Sequence, residues 1–225
     1  ALANHVKFAM AKREPKGHLR GSIIGTECER KLYYSVNTPE DAEPFPPQVN
    51  FKFLYGNLIE EMVLFLAQQA GHSVEKREHK VEVEGVEGHI DAVIDGVLID
   101  VKSASGRAMD KFKEHRLEED DPFGYLKQID FYREGMKDDP SISIKGSVGF
   151  LAVNKESGGL VLDMYRRSDA DAKALLSSLR SSISVVAGPD EPPRGFSAVP
   201  DGSSGNLKLC TQCSYCAFKD KCWQD

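Results

Sequence analysis

Residues 88–105 read GHIDAVIDGVLIDVKSAS, apolar positions alternating with a few polar ones about a central Asp-Gly. Alternation over short runs predicts strands, and Asp95-Gly96 is a two-residue turn of the kind that needs positive φ at both positions. The turn sets a register. Ile94 falls opposite Val97, Val93 opposite Leu98, Ala92 opposite Ile99 and Asp91 opposite Asp100. Because strand side chains alternate between faces, one face carries Ile90, Ala92, Ile94, Val97, Ile99 and Val101, without a polar atom. The other carries His89, Asp91, Val93, Leu98, Asp100 and Lys102.

The same patterning predicts the remaining elements. Residues 4–13 are weakly helical, and Ser22 caps a short helix through ECERKLYYSV. After the proline-rich NTPEDAEPFPPQ comes a long helix near 48–70, closed by Gly71. Residues 73–86 alternate as a strand before the hairpin, and helices follow at 107–118 and 123–137. Strands near 145–154 and 160–167 lead into an amphipathic helix from Ser168 to about Val186, with Leu175, Leu176, Leu179 and Ile183 inward. AGPDEPPRGFSAVPDGSSGN reads as a flexible linker. The order predicts a mixed α/β domain, a central mixed sheet flanked by helices. Its core spans about 48–187, within a single domain covering 1–225.

Two carboxylates facing each other across a hairpin, with Cβ atoms roughly 5 Å apart, repel unless a cation lies between them. A divalent metal meets that need, and Lys102 lies two residues along the same face as Asp100. An acid-x-Lys triplet alone reads as a solvated strand face, and the chain has others at Glu14–Lys16, Glu29–Lys31, Glu78–Lys80 and Asp171–Lys173. The register and the opposed Asp91 set Asp100–Lys102 apart. In the long helix, Gly56 and Glu60 share a face, and the stripe around Glu60 (Phe53, Val63, Leu64, Ala67) is apolar. Glu60 therefore points inward, where a carboxylate requires a metal, a partner or a proton, whereas Glu61 is solvated. In FGYLKQIDFYREGM, Tyr125, Gln128 and Tyr132 fall on one helical face, able to present hydrogen bonds and stacking surfaces to a nucleotide. An ordinary amphipathic face has the same spacing.

At 225 residues and 40% hydrophobic content the chain supports a sizeable core. No apolar run reaches the roughly 18 residues of a membrane span. The N-terminal ALANHVKFAMAKREPKGHLRG has no apolar core of a secretory signal. A net charge of −6 argues against a protein that coats nucleic acid non-specifically, though an acidic metal site is itself a source of negative charge. Of five cysteines, Cys28 stands alone, while Cys210, Cys213, Cys216 and Cys222 crowd the last sixteen residues. An odd count in this tight spacing suits metal ligation in a reducing compartment, which implies an intracellular, cytoplasmic location. Spacing leaves two four-cysteine sets open, one with Cys28 and one with Cys210.

The succession Gly56-x-x-x-Glu60, Gly88-His-Ile-Asp91, Asp100-x-Lys102 and Gln128-x-x-x-Tyr132 resembles the PD-(D/E)XK nuclease superfamily, in its RecB-like exonuclease branch. An early Cys-x-Arg followed by a distant Cys-x2-Cys-x5-Cys resembles the iron–sulfur members of that branch, the CRISPR-associated and phage exonucleases among them. The resemblance covers about residues 20–223. It implies a restriction-endonuclease-like core and a metal module formed from about 20–36 and 207–225. It further implies a Mg²⁺ or Mn²⁺ ion on Asp91, Asp100, Glu60 and the Val101 carbonyl, with Lys102 as the catalytic cation. Gln128 and Tyr132 would position the strand, and Arg30, Ser103, Ser105 and Tyr125 would contact DNA. Cys28, Cys213, Cys216 and Cys222 would hold a [4Fe–4S] cluster, with zinc as the competing metal. Many relatives have histidine at the position of Glu60, and Cys210 is an extra cysteine. The implied activity is an exonuclease on single-stranded DNA or DNA ends. The rivals are a structure-selective endonuclease on the same core and a non-catalytic DNA-binding module.

Overall fold

The computed structural model describes residues 17–224; the helix expected at 4–13 lies outside them. The Asp95-Gly96 turn forms as read, with φ of 48° and 80° at its two residues. It joins strands β4 (Ala92–Ile94) and β5 (Val97–Ala104) in the predicted register, Ala92 against Ile99 and Ile94 against Val97. With β1 (Val74–Glu75), β6 (Ser147–Asn154) and β7 (Leu160–Arg166) they build a five-stranded sheet of order β1-β4-β5-β6-β7. Only β5 and β6 run parallel among these neighbours, joined by helices α3 (Gly106–Lys113) and α4 (Tyr125–Gly135).

The single strand expected over 73–86 is instead split. Lys76 and Glu78 adopt positive φ and end β1 early. Glu84-Gly85, with φ of 51° and 76°, then makes a second tight turn between β2 (Lys80–Val83) and β3 (Val86–His89), a ribbon separate from the main sheet. The first helix also differs. Ser22 falls in a 3₁₀ turn, and α1 (Glu29–Asn37) starts after Cys28. The expected linker contains a short hairpin, β8 (Val199–Pro200) with β9 (Leu207–Lys208).

Helices cover both faces of the sheet except at β7, where Leu160, Leu162 and Met164 are exposed, and strand alternation alone did not show this. Ala92 and Val101 pack under the long helix α2 (Pro47–Gln69) with Ile59, Val63 and Leu64. The face bearing Asp100 is covered by α3, α4 and α5 (Asp169–Ala187), whose Met109, Phe112, Ile129, Phe131 and Leu179 form the larger core with Val93, Leu98 and Phe150. Ile90 joins this second core rather than the first, because the alternation slips between β3 and β4. Ser168 and Asp171 close α5 with a reciprocal capping box.

Residues 34–43 meet residues 217–221. Glu43 N–H donates to the Ala217 carbonyl at 2.7 Å, Lys219 pairs with Glu43, and Lys221 Nζ donates to Thr38 Oγ1 at 2.9 Å. The Tyr34 and Phe218 rings pack 5.7 Å apart. Of the short helices α6 (Thr211–Ser214) and α7 (Lys219–Cys222), α7 thereby lies against the end of α1. No helix among the described residues is long and apolar enough to cross a membrane.

Candidate active site

Asp100 and Lys102 stand on one face of β5, and Asp91 lies immediately before β4. Asp100 is 2% exposed, so the strand face is not the solvated one of the simpler reading. Its Oδ2 lies 2.6 Å from Lys102 Nζ, a buried ion pair. Asp91 lies outside the β4–β5 ladder, and its Oδ2 accepts from the Val101 N–H at 2.6 Å. Lys102 Nζ also donates to Gln128 Oε1 at 3.2 Å and lies 4.5 Å from the centroid of the Tyr125 ring. Gln128 Nε2 in turn donates to the Tyr132 hydroxyl at 2.9 Å. The tyrosine–glutamine–tyrosine stripe is real, but it turns inward: Tyr132 is buried, so it anchors Gln128 and offers no stacking surface.

Glycines explain how these elements come so close. A Cβ at Gly88 would stand 2.8 Å from the Phe131 ring and 2.9 Å from the Tyr132 ring. At Gly25 it would stand 2.3 Å from the Gly124 carbonyl oxygen, where α4 begins. Gly56 carries α2 past Ser103, and a Cβ there would meet its Oγ at 3.5 Å. Ser105 is the N-terminal boundary of α3.

The electrostatics follow from burial of like charges. Glu60 is partly buried, as the helical phase predicted, while Glu61 is exposed and pairs with Arg77. Burial, helped by the charges of Glu78, Asp100 and Glu61, pushes the Glu60 carboxyl up to about 7 against the pull of Lys102. Burial, Asp100 and Glu60 together hold Asp91 well above the usual carboxylate range. Burial works against the charged form of Lys102, but Asp100 and Asp91 outweigh it and raise the ammonium above its ordinary value. Glu78 is a member of this group that sequence reasoning missed. It looked like one more inexpensive acid-x-Lys triplet, yet its N–H donates to the Asp91 carbonyl at 3.4 Å. The aromatic stack of Phe123 on Tyr125 (5.7 Å) and Tyr125 on Phe112 (6.2 Å), beside Lys102, was likewise legible only as separate residues.

Arg30 is not brought to the carboxylates. Its Nε donates to the Pro192 carbonyl at 2.6 Å, its Nη1 pairs with Glu191 at 3.2 Å, and the same nitrogen lies 3.9 Å from Cys222 Sγ. It braces α1 against residues 191–192 and α7. Cys28, Cys213 and Cys216 line one cavity of about 390 Å³. Burial raises the Cys216 thiol, and the charges of Cys28 and Cys222 add to it. Burial also raises Cys213, together with its hydrogen bond to Cys210. Among the described residues, however, no three Cys, His, Asp or Glu side chains are arranged to hold one metal ion. What fits a hard cation is the donor chemistry: burial and the charge of Asp100 raise both Glu60 and Asp91, and a cation among the three carboxylates would relieve that repulsion.

No protein-family model matches the chain, and no curated protein matches it. Among solved structures, the protein SSO0001 is similar over 96% of this chain and 91% of its own, at 11% identity and a TM-score of 0.52. The likeness shows the fold alone. Weaker likenesses, at TM-scores of 0.43 and 0.42, are to an alkaline exonuclease from Laribacter hongkongensis and a phage related exonuclease from Haemophilus somnus 129PT. The first is 12% identical over 60% of this chain and 68% of that one, the second 16% identical over 58% and 66%.

Proposed function

We propose that this chain is a metal-dependent deoxyribonuclease of the PD-(D/E)XK type, acting as an exonuclease on single-stranded DNA or DNA ends. One observation carries the reading: Asp100, buried, is paired at 2.6 Å with a lysine that is itself held by Gln128 and Tyr125. A core with no chemical task gains little from such a group, since replacing a buried ion pair with apolar residues is often neutral or stabilising.

Asp91, Asp100, Glu60 and the Val101 carbonyl would hold Mg²⁺ or Mn²⁺. Such an ion supplies charge neutralisation at a phosphate and makes a water molecule more acidic. Lys102 stays an ammonium at neutral pH, so it stabilises negative charge developing on the phosphate oxygens and does not act as a base. As water attacks phosphorus its proton passes to bulk solvent, and the P–O bond to the leaving sugar breaks. Gln128, fixed by Tyr132, holds Lys102 in place. Ser103, near the end of β5, and Ser105, just beyond it, would contact phosphate, and Tyr125 would contact the nucleotide.

We further propose that Cys28, Cys213, Cys216 and Cys222 bind a [4Fe–4S] cluster that ties the chain ends together. Support comes from their shared surroundings: Cys28, Cys213 and Cys216 line one cavity, and Cys28 and Cys222 both raise the Cys216 thiol. Zinc is the alternative ligand of the same thiolates. End-labelled single- and double-stranded DNA, incubated with the protein in Mg²⁺, Mn²⁺ or EDTA, tests the nuclease. Products shortening one nucleotide at a time identify an exonuclease, and internal fragments the endonuclease alternative.

A further inference from the structure

Three stacked aromatic rings lead outward beside Lys102. Phe112 is buried in the core, and Tyr125 stacks on it at 6.2 Å with the ring planes 21° apart. Phe123 stacks on Tyr125 in turn, at 5.7 Å and 28°. Lys102 Nζ lies 4.5 Å from the middle ring, and the outermost ring is 53% exposed. The backbone fixes Phe123 in that position. It is the third residue of a tight turn, Asp121–Gly124, closed by the Gly124 N–H on the Asp121 carbonyl at 3.1 Å, with Pro122 presetting φ at the second. Gly124 packs on the Gly25 backbone, where a Cβ on Gly124 would fall 2.2 Å from the Gly25 carbonyl oxygen. Turn tips ordinarily carry small or polar residues, and this one holds out a phenyl ring.

Phe123 also borders the cavity of about 390 Å³. Phe45 and Phe53 line the same cavity and meet edge to face at 5.3 Å. Lys31 of α1 and Lys52 of α2 add two cations. Glu27 is the acid among the described lining residues, and its charge acts on Lys127: burial lowers that ammonium, and Glu27 opposes the fall. In a chain of net charge −6, phenyl rings interleaved with lysines form a local surface suited to bases and phosphates. The volume is near the lower end of the roughly 300–1,000 Å³ of small-ligand sites, room for about one nucleotide and none for a duplex. Cys28, Cys213 and Cys216 border it as well, so the cysteine module is part of its wall.

We propose that this cavity holds an unpaired stretch of a DNA strand that continues past Tyr125 to Lys102, and so selects single strands over duplex. The inference rests on the nuclease reading and goes beyond it by naming the residues that make the selection. A base stacks on Phe123 and another meets Phe45, while Lys31 and Lys52 take phosphates. Paired bases keep their faces in the helical stack and have none to offer these rings. The steps of 5.7 and 4.5 Å from Phe123 through Tyr125 to Lys102 set the cavity within about three nucleotides of the lysine, at roughly 3.4 Å per stacked nucleotide.

Fluorescence anisotropy in EDTA, with labelled oligo(dT) of about 12 nucleotides and a duplex of equal length, tests the proposal. Wild-type protein should bind the single strand about 10-fold more tightly than the duplex, and Phe45→Leu and Phe123→Leu should each weaken single-strand binding about 10-fold. Lys52→Gln should lower the slope of log affinity against log salt by about 0.7, and Lys173→Gln on α5 should leave it unchanged. Phe45 and Lys52 are both exposed, so their variants should keep wild-type circular dichroism. Equal wild-type affinity for strand and duplex overturns the inference, as does a folded Phe45→Leu and Lys52→Gln pair that binds single strands like wild type. Either result leaves the nuclease reading to its cleavage assay. Wild-type protein that binds single strands through these residues yet degrades none with Mg²⁺ or Mn²⁺ overturns the nuclease reading and upholds the binding site.

Discussion

Lys102 has no freedom to act as a flexible surface cation. Asp100 at 2.6 Å, Gln128 at 3.2 Å and the Tyr125 ring fix its ammonium, and its side chain is largely buried. Removing the charge while keeping the stem should therefore leave Asp100 buried and unpaired. Lys102→Met should abolish cleavage and cost about 3 kcal/mol of stability, a drop of roughly 6–12 °C in Tm. Asp100→Asn added to Lys102→Met should recover most of that Tm without recovering activity, and a thermal melt of the two proteins checks it. Glu60 sets a pH signature. Its folded-state value, about 7, lies above its ordinary one of 4.5, so the folded protein holds a proton that the unfolded chain has released. In metal-free buffer, Tm should fall as pH rises from about 5 to about 8; Glu60→Gln should flatten the slope, and Glu61→Gln should not. A slope unchanged by Glu60→Gln would move its origin to Asp91. The inward phase of Glu60 was legible in the sequence. The burial of Asp100 was not, because a period of two assigns a side chain to a face without saying what covers that face.

At the scale of elements, the β4–β5 hairpin was legible because its turn chemistry and alternation agree. Gly96, at φ 80°, is crowded as well: a Cβ there would fall 1.8 Å from Ser143 Oγ. Gly96→Ala should destabilise the fold by about 2 kcal/mol or more, read as a lowered denaturant midpoint at an unchanged slope. The β2–β3 ribbon was missed because Glu84-Gly85 lacks the Asn or Asp that marks such turns, and Glu84 takes positive φ without one. Gly88 shows the reach of such a detail. With the Phe131 and Tyr132 rings less than 3 Å from its missing Cβ, Gly88→Ala should displace Tyr132, release Gln128 from its partner and lower kcat more than substrate binding.

Across the whole molecule, the sheet order and the meeting of residues 30–43 with residues 191–222 depend on contacts far apart in sequence. Glu43 with Lys219, and Arg30 with Pro192, have no local pattern that announces them. The C-terminal cysteines were conspicuous in the sequence; their proximity to Cys28 became visible only with the fold. Anaerobically purified protein should be brown, with Cys28→Ser bleaching it and lowering Tm while Cys210→Ser changes neither. A colourless protein carrying stoichiometric zinc would replace the iron–sulfur assignment. If Asp91, Asp100 and Lys102 form a nuclease centre, Mn²⁺-dependent degradation of end-labelled DNA by the wild-type chain beside Asp100→Asn reads it out directly. The wild-type protein should degrade the label with Mn²⁺ and not with EDTA, and Asp100→Asn, folded by circular dichroism, should be at least 10³-fold slower. Equal degradation by both proteins, or none by the wild type with either Mg²⁺ or Mn²⁺, would contradict it.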